Sequence, residues 1–279
     1  SNHGPAPMKA LIDFWSSANA FFWIGLGLSS LISFVLGFIA NIVSGPHARR
    51  YMNRMEGSAV RDLLRLNGAE VVVVVAHQRG PQSRRLPQIA LEDVLATRNV
   101  FDVLSEIGIK HPKIKHPEKL DDSDKKKNII SIGGSFSNSY TAEVLKAPIN
   151  GDVLEFSKTH ADQIELRRGT TTVYRSPSYS EPLSDEAHTP SKDVAFILRR
   201  PNPNNDKASV LVLAGIRGVG TWGASDYLRK NAKALTDRVA RDQGGAMQHG
   251  FIALLEVDYN DFDIVRTKVK DVASILDDA

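Results

Sequence analysis

The chain has 279 residues, 42% hydrophobic and 24% charged, enough apolar material to fill a large core and to exclude disorder as its dominant state. Lys and Arg (35) barely exceed Asp and Glu (32), and a formal charge of +3 is too weak a field to carry nucleic-acid binding. There is no cysteine, which removes disulfide frameworks, thiolate metal sites and thiol nucleophiles together.

Residues 1–8, Ser1 to Met8, lack periodicity and apolar content and read as a tag remnant ahead of a native start at Met8. Residues 9–45 read as a membrane anchor. From Phe21 to Val43 there is no charged residue, and a helix needs about 20 such residues to cross the hydrocarbon layer. The run is too long for the apolar region of a cleaved signal peptide, and Trp15 and Trp23 suit an interfacial belt. Lys9 stands alone before the span, whereas His47, Arg49, Arg50, Arg54, Arg61 and Arg65 follow it, so the C-terminal part is expected in the cytoplasm of a single-pass protein. Ser33 and Gly37 have the small-xxx-small spacing of packed membrane helices, which makes a homo-oligomer the expected assembly.

Residues 46–67 read as a juxtamembrane connector. Met52, Met55, Val60, Leu63 and Leu64 share one side of a helix and arginines the other, a face suited either to anionic lipid or to packing on the domain. Residues 68–279 then alternate strands with helices. Glu70 to Val75 is a β-branched run of the kind a strand buried on both faces needs. Leu86 to Ile107 is expected helical. Lys110 to Asn128, rich in charge and proline, is expected to be a mobile excursion. Asn128 to Ile132 is a strand ending in glycines, and Ser137 to Leu145 a helix. Asp152 to Phe156, Gln163 to Leu166 and Thr171 to Tyr174 read as an antiparallel extension or insertion. Arg175 to Lys192 is irregular, a lid or a surface loop. Asp193 to Leu198 and Ser209 to Ala214 are buried strands, Gly223 to Val239 a helix, Gly250 to Val257 a strand and Asp263 to Leu276 a closing helix. This order predicts an α/β fold, a doubly wound, mostly parallel Rossmann-like sheet preceded by a transmembrane helix.

Two glycine-rich corners carry the chemistry. Gly218-Val-Gly220-Thr221-Trp-Gly223 follows the strand that ends near Gly215 and opens a helix. Glycines there let backbone approach a phosphate, which the helix N-terminus attracts. Over about thirty residues this segment resembles the dinucleotide-binding Rossmann motif, and the resemblance implies a nucleotide or dinucleotide as cofactor or ligand. The strand ends several residues before the first motif glycine, and the acidic residue that the motif places about twenty positions on falls at Asp237 or Asp242, in or just after the helix. No Lys-Ser/Thr pair follows Gly220, which excludes a P-loop. The Gly-x-Gly-Thr segment is also similar to the phosphate loop of lysine-decarboxylase-like, cytokinin-activating enzymes. The second corner, Gly133-Gly134-Ser135 with Asn138 at a helix start, is another anion-accepting turn. Side by side at the carboxyl ends of parallel strands, the two corners are expected to share one crevice, with Arg199 as a further phosphate contact and His77 with Asp193 as a candidate base and its orienting partner. The histidines show no metal-ligand spacing, so no metal site is expected.

The expected function is a membrane-anchored cytosolic domain that binds a nucleotide or another phosphate-bearing ligand as a sensor or effector. Two readings compete: an anchored enzyme, either a nucleotide hydrolase or an NAD(P)-dependent reductase, and a non-catalytic interaction scaffold whose glycines only shape turns.

Overall fold

A computed structural model describes residues 57–66, 70–76, 88–147, 154–156, 163–168, 170–175, 191–242, 250–261 and 263–275. The chain divides into two units, Ser1–Met55 and Glu56–Ala279, and every described residue belongs to the second. The expected transmembrane helix, Phe21 to Val43, lies outside the described residues. Among the described residues no helix is long and apolar enough to cross a membrane.

In chain order the elements are α1 (residues 57–64), β1 (Val71–Val75), α2 (Leu91–Glu106), β2 (Lys113–Lys115), a 3-10 turn (Pro117–Lys119), α3 (Asp122–Lys125), β3 (Asn128–Ile132), α4 (Ser139–Leu145), β4 (Leu154–Phe156), β5 (Gln163–Arg168), β6 (Thr170–Arg175), β7 (Ser191–Asn202), β8 (Asn205–Gly215), α5 (Gly218–Asp242), β9 (Phe251–Asn260) and β10 (Asp263–Ser274). Strands β4, β5 and β6 form a separate antiparallel sheet, where the sequence placed an antiparallel insertion.

The remaining strands make one sheet in the order β10-β9-β7-β8-β3-β1-β2. From β8 through β3 and β1 to β2 the neighbours are parallel. From β8 through β7 and β9 to β10 they are antiparallel, and these longer ladders hold most of the paired residues. The sheet is therefore mixed, and the expected doubly wound, mostly parallel Rossmann-like sheet is not what forms. Two local causes account for this. Only Pro203 and Asn204 separate β7 from β8, and parallel pairing needs a crossover of a dozen or more residues, so the two strands can pair only as a hairpin. The segment expected as a closing helix is strand β10, which returns along β9 after Asp261 turns in the left-handed region (φ 48°). Its Ile264, Val265, Thr267, Val269 and Val272 are β-branched, and pairing with the buried strand β9 overrides a helical reading.

The period of two along each strand divides the core into two clusters. Val71, Val73, Val75, Ile130, Ile132, Leu211, Leu213, Ala195 and Ile197 face α1, α2 and α5, where they meet Val60, Leu63, Leu64, Val100, Leu104, Leu228 and Leu235. The connector's helical end thus packs on the domain. Val72, Val74, Ile129, Val210, Val212, Phe196 and Leu198 face the opposite way, onto Tyr140, Val144 and Leu145 of α4 and onto Leu154. Each buried Val, Leu, Ile or Phe among them contributes about 1.5–3 kcal/mol of transfer free energy. Helices α2 and α5 are also joined by the buried contact in which Asn99 Nδ2 donates to Ser225 Oγ (3.1 Å).

Lys110 to Asn128, expected as a mobile excursion, carries β2, the 3-10 turn and α3 instead. Lys115 donates to both Asp121 and Asp124, and Lys127 reaches Asp124 (3.3 Å) and Glu70 (3.1 Å). Burial works against the charge of Asp124, yet these two ammonium groups hold its carboxyl below the usual aspartate range. From the β7–β8 hairpin, Asn202 Nδ2 donates to the carbonyls of Lys125 (2.8 Å) and Lys127 (2.7 Å), so this charged segment is held through its backbone as well as by Leu120, which packs against the core.

Helix α5 lies close against β9 because Gly223 has no side chain: a Cβ there would stand 2.6 Å from both methyl carbons of Val257. Gly223→Ala is expected to cost about 1–3 kcal/mol of unfolding free energy. Val257→Ala in the same chain should recover part of that loss, and urea titration of the single and double variants checks both effects.

Candidate functional site

Strands β3 and β8 are parallel neighbours with Ile132 opposite Leu213, and the amide of Gly133 donates to the carbonyl of Leu213 (3.0 Å). Both glycine corners therefore emerge side by side. The chain after β3 enters α4 on one face of the sheet, whereas the chain after β8 enters α5 on the other. A crevice opens between such diverging connections, at the carboxyl ends of the strands. It is a cavity of about 260 Å³ lined by Glu92 and Asp93 of α2, by Gly133, Gly134, Phe136 and Ser137 after β3, and by Gly215, Ile216, Arg217, Gly218 and Thr221 at the start of α5.

The corner after β8 is built around an internal anion. Asp193, on β7 and fully buried, accepts from the amide of Val194 (2.8 Å) through one oxygen and from the amides of Arg217 (3.0 Å) and Gly220 (2.9 Å) through the other. Its carboxylate thus occupies the position at the α5 N-terminus where the motif would seat a phosphate. The motif glycines serve that packing. A Cβ on Gly220 would collide with Asp193 Oδ2, one on Gly215 would lie 2.5 Å from the backbone of Gly220, and one on Gly218 would lie 3.0 Å from Glu92. Thr221 Oγ1 accepts from the amide of Gly215 (3.0 Å) and closes the turn. Asp193 is accordingly a helix cap, and His77, the base it is expected to orient, lies outside the described residues.

The corner after β3 is satisfied in a similar way. Asn138, fully buried, accepts from the amides of Tyr140 (3.1 Å) and Thr141 (3.2 Å) and donates to Ile132 O (2.9 Å) and Ser131 Oγ (3.0 Å). Thr141 Oγ1 donates to Gly133 O (2.9 Å), and Gly133 itself turns at φ 103°, a conformation that favours glycine. Asn138 is thus bound up in capping α4. Gly134 and Ser135 sit half-buried on the turn, and Gly134 lines the crevice.

Arg199 is not at the crevice. It is 1% exposed within β7, opposite Leu211 and four residues along from Ala195, the partner of Gly215. Its guanidinium lies 5.8 Å from the ring centre of Phe251, and burial, with Arg65 nearby, pulls its pKa down to about 10.

Three crevice groups were not singled out from the sequence: Glu92, Asp93 and Arg217. Acidic residues in the first turn of a helix read as ordinary complements to its dipole, and only the fold carries α2 over the ends of β3 and β8. Asp93 differs from such a complement because it is buried. Burial, reinforced by the charge of Glu92, pushes its carboxyl up to about 6. No family model and no curated protein matches the chain.

A carboxyl whose pKa is raised on folding binds protons more tightly in the folded state, so its contribution is best at low pH and declines as pH rises from the unfolded value near 4 through 6. At pH 7.5 the penalty is about 3 kcal/mol. Asp93→Asn should therefore unfold at higher denaturant than the parent at pH 7.5, with the gap closing near pH 4. Parallel urea titrations at the two pH values check this.

Proposed function

We propose that residues 68–279 bind a nucleotide or a related phosphate-bearing ligand in this crevice, as the cytosolic sensor or effector domain of a single-pass, self-associating membrane protein. The position of the crevice carries the reading: neighbouring parallel strands whose connections diverge to opposite faces open a cavity at their carboxyl ends, where open α/β sheets seat ligands. Arg217 lines one wall, its guanidinium donating to Tyr259 Oη (3.4 Å), and the turn after Gly133 adds backbone and the Ser137 hydroxyl. Since Asp193 already fills the α5 N-terminus, the phosphate is assigned to Arg217 and the Gly134 turn. In a thermal-shift panel of ATP, GTP, NAD(P) and cyclic nucleotides, at least one member should raise the unfolding temperature, and Arg217→Glu should abolish the shift. If no member shifts the parent while protein partners copurify with it, the scaffold reading replaces this one.

One observation favours an enzymatic reading, that of a nucleotide hydrolase. The Asp93 carboxyl, at about 6, lies in the range in which a group both takes and gives protons near neutrality. Turnover of the same panel, lost in Asp93→Asn, would establish it, and binding without turnover leaves the sensor.

The anchor rests on the uncharged run from Phe21 to Val43. The full chain should sediment with membranes and resist alkaline carbonate extraction, and deletion of residues 9–45 should release it. Recovery of the full chain in the soluble fraction would remove the anchor from the proposal.

A further inference from the structure

The crevice contains a buried acceptor that the fold does not use. Asp93 is 7% exposed, and its side chain lines the cavity. Its backbone carbonyl accepts from Thr97 Oγ1 (2.7 Å), and no described group donates to its carboxylate. Among the described residues the other carboxylates buried on this side of the sheet have partners: Asp193 holds three amides, and Asp226 is paired with Arg229 and Lys230. A largely desolvated carboxylate that opens on a cavity, with no donor from the described residues, is placed to accept from a donor that arrives with a ligand. The neighbouring geometry defines that donor. A Cβ on Gly133 would lie 3.1 Å from Ser137 Oγ and 3.9 Å from Asp93 Oδ1, so the bare Cα of this glycine keeps a hydroxyl and a carboxylate open to the same small space. With Glu92 beside it on the same helix, this wall repels an anion, while the cationic Arg217 stands on the wall formed by the β8–α5 corner.

We propose that this acidic wall receives the sugar hydroxyls of a ribonucleotide, with Asp93 accepting from them and Ser137 completing the pair, while the phosphate faces Arg217. The assignment rests on the nucleotide-binding reading above and narrows it to ligands that carry vicinal hydroxyls. It makes Asp93 a specificity determinant: a carboxylate left without its donor penalises any ligand that lacks the hydroxyls. Because the carboxyl titrates near 6, it is ionised and a strong acceptor at pH 7.5.

Isothermal titration calorimetry on the full chain in detergent, at pH 7.5, tests this with AMP, GMP, CMP and UMP, each beside its 2′,3′-dideoxy counterpart. At least one ribonucleotide should bind at least tenfold tighter than its dideoxy form, and Asp93→Asn should bring the two to within twofold of each other. Asp93→Ser serves as a second variant should the asparagine protein fail to fold, and the ribo-to-dideoxy comparison on the parent stands without either. Equal affinity of the two forms for the parent overturns the hydroxyl assignment and leaves the crevice reading intact, as does full discrimination surviving in both variants. Absence of binding by all eight nucleotides overturns the assignment together with this narrower form of the crevice reading.

Discussion

A single buried carboxylate holds together the part of the molecule that matters most. Asp193 stands on β7, yet its oxygens are bound by the amides of Arg217 and Gly220, so the antiparallel half of the sheet is tied to the start of the helix that follows the parallel half. A carboxylate bound by amides at a helix N-terminus gains both charge-assisted hydrogen bonds and the favourable end of the helix dipole. That gain is available only where backbone comes very close, and the glycines of the β8–α5 corner permit the approach. This contact fixes Arg217 and Gly220 at the start of α5, beside the crevice.

Because the corner is satisfied from within, a glycine pattern shared with phosphate-binding loops has a different physical use here. The amides at the α5 N-terminus are largely spoken for, and the groups left facing the cavity are of another kind: a buried carboxyl, a hydroxyl, an arginine and an exposed turn. The chemistry of the crevice therefore resides in its walls rather than in the motif that pointed to it. Asp93 and Asp193 illustrate the contrast. Both are buried aspartates beside the crevice, but one is enclosed by amide donors, while no described group donates to the other, whose carboxyl is pushed up to about 6.

The mixed sheet explains why the crevice lies where it does. The hairpin between β7 and β8 and the β9–β10 return place antiparallel strands on one side of β8, while β3, β1 and β2 continue in parallel on the other. The helices after β3 and β8 then diverge to opposite faces, and the crevice opens at the ends of those two strands with the start of α2 along one wall.

Much of this was legible in the sequence, for local reasons. Five successive valines predict a doubly buried strand, Gly133 and Asn138 mark a strand end and a helix cap, and the spacing of Gly215 to Gly223 marks a tight strand-to-helix turn. These depend on steric and hydrogen-bonding preferences that a few neighbouring residues settle among themselves. What sequence could not settle was pairing. Whether Asp263 to Ser274 is helix or strand depends on β9 lying alongside it, and whether Asp193 caps a helix or assists a base depends on a partner 24 or 27 residues away. The burial of Arg199 within β7 and the arrival of Glu92 and Asp93 at the ends of β3 and β8 likewise come from strand order. By itself the sequence determined the local elements and the glycine corners. Tertiary structure alone decided which groups face the crevice and which are used up in building it, because desolvation and hydrogen-bond partnership are properties of residues brought together from distant parts of the chain.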